Sequence, residues 1–169
     1  MSVIRIRLAE PRDDGAVGEL LVRAFIEKYS QKMPEVRITD GRKASLRAVA
    51  AKRSVATVWV AEREGQVVGT VAMFAAGAAG NEGWLPGAFD LRHLAVDAIA
   101  RGQGVAALLI DTAETWARAR GAVVICLHVR RGAQGVRRLY EERGYVADPV
   151  GDIDQLPDVY LEALALRLS

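Results

Sequence analysis

Residues 94–106 read Leu94-Ala95-Val96-Asp97-Ala98-Ile99-Ala100-Arg101-Gly102-Gln103-Gly104-Val105-Ala106, and this stretch decides the fold. The residues leading into it, Phe89 to Val96, are rich in strand formers and predict a β-strand. Asp97 to Gly102 is a short connection. Beyond it Val105, Leu108, Leu109, Thr112 and Trp116 recur at helical spacing, which predicts a helix from Gly104 to Arg120, stopped by Gly121. Two glycines therefore sit where a strand hands over to the N-terminus of a long helix. Such a terminus carries free N–H groups and a partial positive charge, and glycine lets the backbone come close to a ligand. The stretch predicts a phosphate or pyrophosphate site; the plainer alternative is a strand-to-helix turn with no ligand.

Three phosphate motifs can be compared with it. A Walker A loop is excluded because no Gly-Lys-Ser/Thr follows. The dinucleotide fingerprint G-x-G-x-x-A is met formally by Gly102, Gly104 and Ala107. That fingerprint should come directly after its strand, with an acidic residue ending the next one. Here several residues separate Val96 from Gly102, and the next strand ends His128-Val129-Arg130. The pattern R/Q-x-x-G-x-G/A is met by Arg101, Gly104 and Ala106.

Upstream, Val3 to Leu8 alternates Ile4, Ile6 and Leu8 with Arg5 and Arg7, the period of a half-buried strand. Pro11, Asp13 and Asp14 then supply helix-start chemistry. Val17, Leu20, Leu21, Ala24 and Phe25 predict a helix to about Tyr29. Gln31 to Gly41, with Pro34, reads as a loop, and Arg42 to Arg53 as a second helix. Thr57 to Arg63 and Gln66 to Ala75 form a hairpin around Glu64-Gly65. Ala76 to Gly87 is a loose, Gly-rich loop carrying Trp84. Downstream, Val123 to Val129 is a near-continuous apolar strand, Arg137 to Arg143 a short helix closed by Gly144, and Val159 to Leu168 a last strand. A short extra strand fits Tyr145 to Ala147. The order β-α-α-β-β-β-α-β-α-β, with no repeat or linker, predicts one α/β domain over residues 1–169 on a mixed central sheet flanked by helices.

Composition adds boundaries. The chain has 169 residues, 51% apolar, with 23 Lys and Arg against 21 Asp and Glu. So even a balance carries no signal for nucleic acid. The single cysteine, Cys126, lies inside an apolar strand and reads as a core residue, and a reducing, cytoplasmic setting fits. No signal peptide and no membrane-length apolar run is expected. Two histidines and one cysteine without ligand spacing predict no metal site.

A second motif lies downstream: Leu139-Tyr140-Glu141-Glu142-Arg143-Gly144-Tyr145. Residues 94–106 resemble the acetyl-CoA signature of the GNAT N-acetyltransferase superfamily, and residues 139–145 resemble its L-Y-E-x-x-G-F/Y segment. One helix and one strand separate them, as in the family, and the resemblance covers nearly the whole chain. It implies an acetyl-CoA-dependent N-acetyltransferase. The backbone of Leu94, Ala95 and Val96 would pair with the pantetheine amides. The loop amides of Gln103, Gly104, Val105 and Ala106 would hold the pyrophosphate, with Gly102 in the turn and Arg101 adding positive charge. Many members dimerise, so a homodimer is implied as well.

Acyl transfer to an amine needs a proton removed, a carbonyl oxygen stabilised and a thiolate protonated. Tyr140 matches the tyrosine that often protonates the thiolate in this superfamily; its plainer role is an aromatic core contact. Asp90 occupies a position where some members carry a catalytic Glu. His93 has the better intrinsic pKa for a base. Strand alternation puts Asp90, Arg92, Leu94 and Val96 on one face and Leu91, His93 and Ala95 on the other unless a bulge intervenes. The base is therefore Asp90, His93, a group acting through water, or absent, and an Asp90–Arg92 ion pair is the plainer reading of Asp90. Many members have an Asn just after the strand that ends in His128. Here Arg130-Arg131-Gly132-Ala133 stands in its place; it reads as a solvated turn, with Arg130 and Arg131 meeting phosphates as the alternative.

Acceptor choice in this fold falls to about Glu27 to Asp40, Gly77 to Phe89 and Asp148 to Val159. Asp148, Asp152, Asp154 and Asp158, with Glu82 and Trp84, suggest an acidic rim suited to a cationic amine such as a polyamine, an aminoglycoside or a basic amino acid. A small-molecule amine is the expected acceptor. The alternatives are a protein N-terminus or lysine, a non-catalytic acyl-CoA sensor, and a nicotinamide-dependent oxidoreductase.

Overall fold

The computed structural model describes residues 2–27, 39–156 and 159–168. Its strands are β1 (Arg5–Leu8), β2 (Thr57–Arg63), β3 (Gln66–Phe74), β4 (Phe89–Val96), β5 (Val124–Arg130), β6 (Val146–Ala147), β7 (Ile153–Gln155) and β8 (Val159–Arg167). Its helices are α1 (Asp14–Val22), α2 (Asp40–Arg47), α3 (Val49–Val55), α4 (Val105–Ala119) and α5 (Gln134–Glu142). The strands make one mixed sheet in the order β1-β2-β3-β4-β5-β8-β6, with β7 also on β8. Among the described residues only β4 and β5 pair in parallel. That is the pair joined through α4, as a helical crossover requires.

Helices cover both faces of the sheet. On one, Val105, Leu109, Ile110, Ala113 and Ala117 of α4 pack with Tyr140 of α5 on Val71, Met73, Leu91, Ile125 and Leu127. On the other, Val17, Leu20 and Leu21 of α1, with Leu46 and Val49, pack on Val60 and Ala95. Leu20, Leu21, Leu46 and Leu109 are at most 2% exposed, and burying each stabilises the fold by roughly 1.5–3 kcal/mol. Cys126 is a buried free thiol of β5, and burial pushes its pKa up. A buried polar cluster ties α4 to the end of α5. Glu114 accepts from the Tyr145 hydroxyl at 2.8 Å and from Arg143 at 3.0 Å. No helix among the described residues is long and apolar enough to cross a membrane.

The sheet and helices follow the sequence with four differences. The first helix ends at Val22 and continues as a π-helical turn, Arg23–Glu27; Tyr29 and the loop from Gln31 through Ile38, with Pro34, lie outside the described residues. The helix expected over 42–53 is two helices, broken at Ala48, whose ψ of 53° leaves the helical region. Alanine favours helix; beside the break Gly18 of α1 crosses so close that a Cβ on it would meet Arg47 Cα at 3.2 Å. The helix expected from Arg137 begins earlier, at Gln134. The stretch 153–155, read as acidic loop, pairs with β8 as β7.

Candidate active site

The ladder between β4 and β5 is short. It joins Phe89 to Ile125, Asp90 to Cys126 and Leu91 to Leu127, and then ends. Beyond it β4 pairs only with β3, and His128, Val129 and Arg130 of β5 pair only with β8. The facing edges of β4 and β5 separate into a cleft, leaving β4 backbone groups without a strand partner. Buried backbone groups need such partners, so this edge is suited to a ligand that offers amides.

A bulge sets which side chains enter the cleft. The β3–β4 register slips between Thr70 and Ala72, and His93 takes a φ of +57°. The extra residue re-aims everything after it. Leu94 and Val96 join Phe89 and Leu91 on the α4 side, and Ala95 packs on the α1 side. His93 lies on the α1 side too, its ring 6.1 Å from that of Phe25. The simple alternation is thereby corrected: Asp90 and His93 line one cleft, with Leu91, Arg92, Leu94, His128, Arg130 and Tyr140.

Asp90 is 1% exposed, and its Oδ2 accepts the Glu82 N–H at 2.8 Å and the Arg92 guanidinium. Burial pushes its pKa up, against the pull of Arg92. Arg92 also donates to Gly80 O at 2.8 Å, pairs with Glu82 at 2.8 Å and lies over the Phe74 ring. Asp90 is thus the anchor of the 80–83 loop, and its ion pair with Arg92 is present. His93 places Nδ1 3.0 Å from Lys52 Nζ. Burial, then the charges of Lys52, Arg92 and Arg42, hold its pKa well below the usual histidine value. Burial also lowers Lys52, to about 8.

Next to the cleft a groove runs along Leu94, Ala95 and Val96, past Arg101, Gly102 and Ala106, to Ala133, Gly135, Val136 and Leu139 of α5. Gly102 and Gly104 have φ of 75° and 78°, the left-handed region that side chains with a Cβ avoid. A Cβ on either would meet nothing within 4 Å, so conformation and not space demands glycine there. Gly104 is the N-cap of α4. Val105 is 2% exposed in the core, so only its N–H can face a ligand. Gln103 accepts from Arg63 Nη1 at 2.9 Å, a loop contact from β2 that no motif signals. Tyr140 is 3% exposed, lines the cleft and stacks edge-on with Tyr145.

Two expectations are corrected. The acidic residues of the tail do not form a rim on the cleft. Asp148 accepts from Trp84 Nε1 at 2.7 Å, Asp152 from the Tyr160 hydroxyl at 3.1 Å and the Ala163 N–H at 2.8 Å, and Asp154 from the Leu156 N–H at 3.2 Å. Their charge is engaged in fixing the segment; Asp158 lies outside the described residues. Trp84 packs against His128 and Gly151, where a Cβ would meet its ring at 2.2 Å. Arg130 is no solvated turn residue: it ends β5, 9% exposed, in the cleft wall. Sequence reading also missed Phe25, Arg42 and Ser45, which reach the cleft from the first two helices. Among the described residues no group of His, Cys, Asp or Glu is placed to hold a metal ion.

A sequence model of the Acetyltransferase (GNAT) family matches residues 16–145. No curated protein matches the chain significantly. Among solved structures it is similar to an acetyltransferase of the GNAT family from Staphylococcus aureus, with a TM-score of 0.73 and 16% identity over 99% of this chain and 100% of that one. It is also similar to a ribosomal-protein-alanine N-acetyltransferase from Brucella melitensis, with a TM-score of 0.66 and 22% identity over 97% and 99%. A third is IAA acetyltransferase from Bacillus cereus, with a TM-score of 0.65 and 16% identity over 98% and 100%. At these identities the likeness establishes the fold.

Proposed function

The chain belongs to the GNAT acetyltransferase family of acyl-CoA-dependent acyltransferases, and on that premise we propose that it transfers the acetyl group of acetyl-CoA to the primary amine of a small molecule. The observation that carries this is the parting of β4 from β5 after Leu91, beside the left-handed glycines that open α4. The unpaired β4 edge at Leu94, Ala95 and Val96 fits an amide-bearing pantetheine arm. The N–H groups of Gln103 to Ala106 fit a pyrophosphate, with Arg101 nearby. When bound, acetyl-CoA supplies an activated acyl thioester.

The remaining chemistry falls to this chain's side chains. His93 takes the proton that the acceptor must lose, with Lys52 as the positioning residue behind it. Asp90 serves the loop and not the reaction, because its Oδ2 already holds two donors. Tyr140, in the cleft wall, donates its hydroxyl proton to the departing sulfur. Further parts of the proposal are that the whole chain forms one catalytic domain, works in the cytoplasm and assembles as a homodimer.

The test is incubation with acetyl-CoA and a panel of primary amines, followed by thiol release and by mass analysis of the amine. A gain of one acetyl group on an amine, with matching CoA release, is expected. Binding of acetyl-CoA with no acetylated product from any amine would favour a non-catalytic sensor instead.

A further inference from the structure

The charges lining the cleft are Arg42, Arg92, Arg130, Asp90 and Glu82. Both carboxylates belong to Arg92: Asp90 through its buried Oδ2, Glu82 through an ion pair at 2.8 Å. Against three arginines, these two carboxylates leave the cleft lining positive. His93 adds no charge near neutral pH, because burial and its cationic neighbours keep it deprotonated. Arg42 stands differently. Among the described residues Glu82 acts on it only through space, and its Nε is buried with no hydrogen-bond partner.

A buried guanidinium N–H without a partner costs free energy, so native structures seldom leave one unsatisfied. Ser45, three residues along α2, lines the same cleft and brings a hydroxyl. Phe25, Leu91, Leu94, Val129, Val136 and Leu161 make the apolar part of the wall. A planar fork with an open N–H, beside a hydroxyl in an apolar pocket, is complementary to a carboxylate. A polyamine would meet Arg42 as a like charge and find both acidic groups already paired with Arg92.

We infer that the acceptor amine also carries a carboxylate, which Arg42 receives with Ser45 at the α2 side of the cleft. The inference rests on the proposed acetyl transfer and narrows its substrate class to amino acids and their relatives. It reverses the cationic acceptor that the acidic tail suggests.

The experiment measures kcat/KM by thiol release for matched pairs: common α-amino acids, β-alanine and γ-aminobutyrate, each beside its carboxamide. Spermidine and putrescine represent cations, and 2-aminoethylphosphonate represents a different oxyanion. At least one amino acid is expected to exceed its carboxamide and both polyamines by tenfold or more. Arg42→Met should bring that ratio close to one, and Arg42→Glu should turn the preference towards the polyamines. Calorimetric binding of acetyl-CoA, measured on each variant, reports that the fold and the cosubstrate groove persist. Where one variant fails to fold, Ser45→Ala supplies a milder loss of the same ratio. Turnover of carboxamides or polyamines at least equal to that of every amino acid overturns the inference while acetyl transfer stands. So does an absence of turnover with every carboxylate-bearing amine, and so does a phosphonate preferred over all carboxylates. Failure of the wild-type protein to bind acetyl-CoA would instead overturn the proposed function itself.

Discussion

Lys52 Nζ lies 3.0 Å from His93 Nδ1, a contact that spans 41 positions of sequence and brings α3 onto the bulge of β4. Below about pH 8 Lys52 is an ammonium and donates to Nδ1. The neutral imidazole then carries its proton on the other ring nitrogen, which cannot accept one. Above about pH 8 the neutral lysine accepts from Nδ1–H, and the second ring nitrogen is free to act as base. kcat/KM should therefore rise with pH through about 8. Lys52→Met should remove that limb in a profile taken with the same acceptor. A limb unchanged in the variant would assign it to the acceptor's own amine and contradict the pairing.

Asp90→Asn separates an anchor from a base. Breaking a buried ion pair at one partner costs on the order of 3–5 kcal/mol, and here Glu82 keeps part of Arg92 engaged. Urea unfolding should show a loss of about 2–4 kcal/mol. The folded fraction should retain kcat within about threefold of wild type, far from the loss of about 100-fold or more that removing a general base brings. Such a loss at full folding would restore Asp90 as the base.

Tyr140→Phe removes one hydroxyl from a residue that is 3% exposed and already packed on Tyr145. The ring contact remains. kcat should fall by about 100-fold, the usual scale for one proton-transfer group, with the Kd of acetyl-CoA unchanged. An unaltered kcat would leave Tyr140 as a core aromatic only.

Glu114→Ala leaves the Tyr145 hydroxyl without its buried acceptor, while Arg143 keeps its pair with Asp111. Burial and the neighbouring Glu114 both push the Tyr145 pKa up, so the hydroxyl stays a donor at every working pH. One stranded donor predicts a stability loss of about 1–3 kcal/mol in denaturant unfolding. A loss below about 0.5 kcal/mol, the ordinary range for surface changes, would mean that water replaces the carboxylate.

The sequence makes the order of elements, the glycine loop and helix α4 legible because each is local: alternation, an apolar run, two glycines before a periodic helix. The cleft is different. The bulge at His93 has no glycine or proline to announce it, only a register slip against β3. Arg42, Ser45 and Phe25 reach β4 through the packing of α1 and α2 on the sheet, a tertiary relation with no counterpart in spacing. The four tail aspartates read as a charged rim because sequence shows charge and hides hydrogen bonds. Three of them accept donors from their own segment or from Trp84.

Calorimetric titration with acetyl-CoA of the wild type and of Gly104→Ala tests the central claim most directly. Gly104 holds a φ of 78° with open space around it, so alanine adds no clash and changes only backbone preference, by about 1–2 kcal/mol. Binding by the wild type that weakens roughly tenfold in the variant, with CoA behaving alike, is the predicted result. A folded wild type that binds neither acetyl-CoA nor CoA would contradict the account.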